Sequence, residues 1–406
     1  MELIAGVIKS YDWGSRTALA ELTGRMVPSV NTEAEMWFGA HESAPSPLLE
    51  SSDPATLFGR IGVDPAAGLG EECSDAFGGK LPFLLKVLAA QKPLSLQAHP
   101  TEEQARAGFD AENRAGIPLD AAHRNYRDDR HKPELVVALE QFEVLAGFRN
   151  IPDTVDFLTA IDVPDLAEDA AALASSPTPK QLEQVVARWM GMSSEHHVRA
   201  SDVVLERITA LLASGGSVVD RYRTELSTAS ELARNYRGDG GVLISLLLNR
   251  VTLAPGEGLY LPAGNLHAYL SGTAVEIMAN SDNVLRGGLT TKHVDVAELS
   301  KILDFNPISA DVLRPHPAAT EFTYPTPARE FTLTRWEFGD SAERELKSPG
   351  PSIVLCTSGR ATIRSGPKTR RIGSGEAIWV PAGESDLSVA ADGPHAQLFV
   401  GSVGGL

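Results

Sequence analysis

The run LSLQAHP at 94–100 sets Ser95, Gln97 and His99 on one face of a strand and Leu94, Leu96 and Ala98 on the other, because side chains alternate along extended chain. A polar front on an apolar back is what a barrel wall with a working interior would show, and the bland alternative is a half-exposed strand facing water. A carboxylate candidate lies in YRDDRHKPELVV at 126–137. Pro133 pushes Lys132 toward an extended conformation, so Lys132 and Glu134 point to one side. Such a pair on a surface is worth under ~1 kcal/mol. Glu134 runs straight into Val136, Val137 and Leu139, however, and a buried carboxylate needs a cation or a metal to stay charged. His267 follows a Gly/Pro corner in GLYLPAGNLHAYLSG at 258–272. Gln97, His99, Glu134 and His267 would together supply two imidazoles, a carboxylate and an amide oxygen, a donor set that suits Zn²⁺ or another divalent first-row metal and leaves room for a substrate oxygen. Only Gln97 and His99 are neighbours in the chain, so spacing alone does not assemble the four.

A further segment, AVEIMANSDNVLRGGLTTKH at 274–293, alternates Glu276, Met278 and Asn280 with Val275, Ile277 and Ala279. The turn Ser281-Asp282-Asn283 then leads to Arg286, Gly287-Gly288 and Lys292. A glycine pair lets backbone pass close to a ligand, although most such pairs only make turns.

The elements that must position these residues fall into three regions. Residues 1–150 mix short β-rich runs such as LPFLLKVL and ELVVAL with turn residues, and Thr101 with Gln104 forms a capping box for a helix after Pro100. Residues 152–236 read as helices: Leu182, Val185, Val186 and Trp189 recur at helical intervals, as do Val204, Ile208 and Leu211. After Gly238–Gly241 the chain is β-rich again. A proline cluster (Pro315, Pro317, Pro325, Pro327) marks a boundary near 315–325. Across it, GEGLYLPAG at 256–264 is echoed by GEAIWVPAG at 375–383, which suggests one hairpin corner used twice. The second copy continues Glu384-Ser385-Asp386 where the first has Asn265-Leu266-His267, so it lacks the histidine.

The composition narrows the partners. A net charge of −17 argues against a nucleic-acid or membrane-surface binder, whose footprint is basic. Cys73 and Cys356 are too few for a disulfide framework. The N-terminus lacks a basic region followed by an apolar run, and VLISLLL at 242–248 falls far short of the ~20 residues that span a bilayer. The expectation is a soluble cytoplasmic protein, with no nucleic acid and no membrane among its partners.

Gly256, Pro262, Gly264 and His267 satisfy G-x5-P-x-G-x2-H, which resembles the second motif of cupins, double-sheet β-barrels of the jelly-roll kind. YDWGS at 11–15, AEMWFGAH at 34–41, LPFLLKVLAAQKPLSLQAHP, HKPEL, GLYLPAGNLHAYLSG and VEIMANSDNVLRGGLTTKH, in this order over most of residues 11–300, resemble the type I mannose-6-phosphate isomerases. The resemblance implies a mainly β fold with a helical domain. A cupin-type catalytic domain would occupy 1–150 and 240–315, a helical insertion 151–239, and a degenerate cupin-like β domain 316–406. It implies a monomeric enzyme that interconverts mannose 6-phosphate and fructose 6-phosphate through a cis-enediol, with one Zn²⁺ per chain on Gln97, His99, Glu134 and His267. Arg286 would be the active-site arginine, with Lys132 and Glu276 beside the reacting carbons. Ser95, Lys86 and Lys292 would contact phosphate and hydroxyls, Trp13 and Glu35 would line the pocket, and His131 would assist ring opening. The general base stays open between Glu276 and Lys132; Arg286 is expected as a charge clamp, since arginine is rarely neutral. The rival readings are a sugar-phosphate-binding cupin without turnover and a metal cupin of different chemistry.

Overall fold

The computed structural model describes residues 1–339, 343–346, 350–384 and 387–405; Ser385 and Asp386, the divergent end of the second corner, lie outside the described residues. Helix and strand occupy nearly equal shares of these residues, more helix than a mainly β reading allows. The excess lies outside 152–236, in Leu57–Val63, Pro65–Leu69, Glu71–Phe77, Glu102–Arg114 and Val296–Ile302. Gly59, Gly62 and Gly68 weaken the helical signal over 57–69. Local capping offsets it: the Thr56 and Asp64 side chains accept from Gly59 N and Ala67 N, and Pro65 starts its helix. The Thr101–Gln104 capping box opens Glu102–Arg114 as expected.

The larger sheet is antiparallel, and its backbone is the strand His267–Ala279. The later part of that strand pairs with Phe83–Ala90 on one side and Glu134–Ala138 on the other. Its first part instead pairs with Phe142–Phe148, and at His267 with Gln97 of Leu96–Ala98. The change of partner occurs at a bulge between Tyr269 and Ser271 and at Gly272, whose φ of 109° and contact with Gln141 O exclude a side chain. One strand thereby spans two layers, with a cavity on the polar side of the bend.

Alternation then sorts the side chains. Phe83, Leu85, Val87, Leu135, Val137, Val275 and Ile277 turn to a shared core with Ile353, Leu355, Trp379 and Phe399 of the second sheet. Their neighbours Lys86, Glu134 and Glu276 turn the other way. Among the described residues the second sheet has eight strands, including Ser352–Ser365, Ala377–Val380 and Leu387–Ser402; the N-terminal strand Glu2–Ile4 joins it by pairing with Ala377–Val380.

Between the two halves of the larger sheet the chain forms a helical block that includes Ile151–Ile161, Pro179–Met190, Ser194–Ser214 and Ser217–Asn235. Leu182, Val185, Val186 and Trp189 are all buried, as their spacing predicts. Trp189 Nε1 donates to Asp169 Oδ2 at 2.7 Å, and His197 Nε2 donates to Trp189 O at 2.7 Å, so this histidine is a core strut. No helix among the described residues is long and apolar enough to cross a membrane.

Candidate active site

A cavity of about 870 Å³ opens on the polar face of the bent strand. Beneath it, strand register brings distant residues into one row: Arg286 lies opposite Gln97, and Gln97 lies opposite His267. Glu134 sits opposite Met278 and Leu261, and His99 follows the end of Leu96–Ala98. His99, Glu134 and His267 are 1%, 1% and 0% exposed, so nothing here is solvated by bulk water.

Their hydrogen bonding is specific. His99 Nδ1 donates to Asn283 O at 2.7 Å, and His267 Nδ1 donates to Asn265 O at 3.0 Å. With the proton on Nδ1, each Nε2 presents a lone pair. Both Nε2 atoms lie 3.3 Å from a Glu134 oxygen. Lone pairs facing a carboxylate in a dry site repel one another, and His99 Nε2, His267 Nε2 and Glu134 Oε2 have no hydrogen-bond partner. A cation removes the conflict. Four ligands placed tetrahedrally at about 2.1 Å from a zinc ion stand about 3.4 Å apart, close to the separations found. Burial pushes the His99 pKa down to about 4, outweighing the pull of Glu134, and keeps the ring neutral as a ligand must be. Burial alone would raise Glu134, but the Lys132 ammonium at 2.9 Å holds it well below the usual range. Gln97 lines the cavity and lies opposite His267 in the strand register.

A second polar group stands on the neighbouring strands. Glu276 Oε2 meets Lys86 Nζ at 3.0 Å, across the register pair Glu276–Lys86, and Tyr269 OH donates to Glu276 Oε1 at 2.8 Å. Burial raises the Glu276 pKa despite Lys86, and the charges of Glu134 and Glu35 add to the rise. Burial alone would lower Lys86, but Glu276 holds it above its ordinary value, charged. Trp37 Nε1 donates to Glu35 Oε2 at 2.6 Å, and Tyr11 stacks on Trp13 with centroids 5.6 Å apart.

The third group is cationic. Arg127, Arg286 and Lys292 line the cavity, and none of them makes an ion pair among the described residues. Burial lowers the pKa of Arg286 and of Lys292. Arg127 adds to both shifts and Arg286 to that of Lys292, the mark of like charges gathered at one end of the cavity.

The cavity thus gathers Trp13, Glu35, Lys86, Ser95, Gln97, Lys132, Glu134, Glu276, Arg286 and Lys292, with His99 and His267 below it. His131 is placed elsewhere. It lines a separate cleft, where its Nε2 pairs with Glu330 at 2.7 Å, because adjacent residues of an extended segment face opposite ways and Lys132 takes the cavity side. Gly288, at φ 125°, leaves room for the backbone of Gly241 in the helical block, where a Cβ would lie 2.5 Å from Gly241 Cα. The residues missed are Arg127, Tyr269 and Trp37. Tyr269 is two positions past His267 and shares its face by simple alternation, and Trp37 stands in the same relation to Glu35. Arg127 precedes an irregular segment, where periodicity gives no direction.

Comparison with known proteins matches residues 1–151 to the family model "Phosphomannose isomerase type I, catalytic domain". Mannose-6-phosphate isomerase of Escherichia coli (strain K12) is 36% identical over 403 residues, covering 98% of this chain and 99% of the relative. The enzyme of Bos taurus is 33% identical over 385 residues, 88% of each chain. A crystal structure of mannose 6-phosphate isomerase bound with zinc and yttrium superposes with a TM-score of 0.89 at 35% identity, covering 100% of this chain and 99% of that one.

Proposed function

The chain belongs to the type I phosphomannose isomerase family, and from that premise we propose how its cavity interconverts D-mannose 6-phosphate and D-fructose 6-phosphate. It is a zinc-dependent aldose–ketose isomerase. Gln97, His99, Glu134 and His267 would hold the metal, and the carbonyls of Asn283 and Asn265 fix the imidazole tautomers that would serve it. Bound zinc supplies a Lewis acid that stabilises negative charge on the sugar's carbonyl and hydroxyl oxygens.

Glu276 takes the proton from C2 of the open-chain aldose and returns it to C1 of the cis-enediol, while the hydroxyl proton passes from O2 to O1. Its burial supports this role, because a carboxylate with a raised pKa is a better base toward a weakly acidic C–H. Tyr269 and Lys86 hold its two oxygens, and Lys132, beside Glu134, keeps a positive charge near the reacting carbons. Arg286, Arg127 and Lys292 clamp the phosphate, and Ser95, Trp13 and Glu35 receive the hydroxyls and the ring face. His131, facing another cleft, has no part in this scheme.

We read the larger sheet as the cupin-type catalytic domain, built around 1–150 and 240–315 with 151–239 inserted, and the second sheet as its ligand-free counterpart. The twin corners support this: Gly258–Leu261 and Ala377–Val380 follow matching sequences and each pairs within its own sheet. We further propose that the protein acts as a monomer in the cytoplasm.

The observation that carries this reading is the orphaned imidazole–carboxylate–imidazole set under a cavity lined with uncompensated cations. The test is turnover of mannose 6-phosphate by zinc-loaded and by demonstrably metal-free protein. Turnover that needs the metal supports the reading, and full activity without metal, or binding without turnover, refutes it.

A further inference from the structure

Asn283 is fully buried, and its amide bonds none of its own turn. Its Oδ1 accepts from the backbone N–H of Arg127 at 2.7 Å and of Asp128 at 3.2 Å. Its Nδ2 donates to Asp128 O and Arg130 O, both at 2.8 Å, and to Asp128 Oδ1 at 3.2 Å. Asp128 answers from the facing segment: its Oδ2 accepts from Asp282 N at 2.8 Å and its Oδ1 from Ser281 Oγ at 2.8 Å. A side chain that only shaped a turn would bond its own backbone two residues on. This one uses both donors and both acceptor directions on a segment more than 150 positions away in the chain. Aspartate lacks the donors, and leucine lacks both functions.

The clasped segment matters because of what it carries. Arg127 sends its side chain into the cavity beside Arg286 and Lys292, and Lys132 and Glu134 follow a few residues on. The backbone carbonyl of Asn283 is the acceptor for His99 Nδ1. One residue therefore touches the cationic end of the cavity through its side chain and a metal ligand through its main chain.

We infer that Asn283, through its reciprocal clasp with Asp128, is a positioning residue that couples the phosphate-holding end of the cavity to the metal ligand His99. The inference rests on the assignment of Arg127, Arg286 and Lys292 to phosphate. A bound anion that firms Arg127 firms the 127–130 segment, the Asn283 carbonyl, and the orientation of His99. By linkage, a bound metal favours the anion to the same extent.

Inorganic phosphate is the probe, because it carries the charge of the substrate's phosphate group without the sugar. Wild type, Asn283→Ala and the isosteric Asn283→Asp are compared as zinc-loaded proteins. The measurements are inhibition by phosphate, zinc loss to excess chelator with and without saturating phosphate, steady-state kinetics and Tm. In wild type, phosphate competes with mannose 6-phosphate and slows zinc loss several-fold. In both variants phosphate binds about tenfold more weakly, the slowing disappears, and kcat/KM per zinc-loaded molecule falls about 100-fold, the effect of a displacement of about 1 Å. If the alanine variant does not fold, the aspartate variant, which keeps the two acceptor contacts, carries the test. A lowered Tm with phosphate affinity and the zinc-loss ratio unchanged would reduce Asn283 to a structural residue. Absence of slowing in wild type overturns the coupling alone, and absence of competition in wild type overturns the phosphate assignment and the coupling with it.

Discussion

Replacing Glu276 by Gln keeps shape and keeps an acceptor for Tyr269 OH, so the change falls on two things: the base and the partner of Lys86. Lys86 and Glu276 are 5% and 2% exposed, and removing one member of such a buried pair costs about 3–5 kcal/mol because the other charge is stranded. At about 2.1 cal/mol/K of unfolding entropy per residue, a two-state chain of 406 residues would lose about 4–6 °C of Tm. Turnover should fall about 10²–10⁴-fold from loss of the general base. The two effects separate in Glu276→Gln/Lys86→Met, which strands no charge: the Tm recovers most of its loss while turnover stays low. The pH profile supplies a further sign. The base works only when ionised, and its pKa is raised, so kcat of the wild type should drop with falling pH at a limb above the ordinary carboxylate value of about 4.3, with zinc content followed in parallel. The Gln variant should lack that limb. A Gln variant that keeps more than a tenth of wild-type kcat would refute Glu276 as the base, and a double variant no more stable than the single would refute the buried pair.

His267→Ala should lose zinc and turnover together, measured by bound metal per chain, since it removes one of three converging ligands at a site closed to solvent. Arg286→Ala should keep its zinc and lose at least tenfold in kcat/KM for mannose 6-phosphate; loss of metal there would show that Arg286 belongs to the metal site. Gly288→Ala should lower the Tm and raise KM together, because its Cβ would meet Gly241 backbone at a φ of 125° and push the segment leading to Lys292 out of place.

What the chain discloses about the site is local, and what it conceals is register. Alternation alone pairs Gln97 with His99, Lys132 with Glu134 and Glu276 with Met278, and the structure keeps each of these pairs on the cavity side. It cannot show that His267 lies opposite Gln97, 170 positions earlier, on a strand that changes partners at Gly272, or that Arg286 on a separate strand completes the row. The family resemblance supplied that long-range information. His131 shows the opposite failing: alternation with Lys132 already turned it away from the cavity, and proximity to the motif outweighed the geometry. The helices over 57–77 were hidden because three glycines dilute a pattern that capping side chains restore.

Among the described residues the second sheet contributes none that lines the cavity, yet the cavity's strands depend on it. A strand can offer Lys86, Glu134 and Glu276 to a dry cavity only if its alternate residues are held against something apolar. Leu85, Leu135 and Ile277 meet Ile353, Leu355, Trp379 and Phe399 there. Full burial of each such side chain contributes about 1.5–3 kcal/mol, which offsets the cost of removing the charged partners from water. A net charge of −17 does not bar an anion from a cleft. Net charge describes the whole surface, whereas low-dielectric walls focus the field of a few cations gathered in a cleft. Arg127, Arg286 and Lys292 are such cations, Arg286 half-buried and the other two exposed along the cavity wall, and the proposed phosphate would be their counterion.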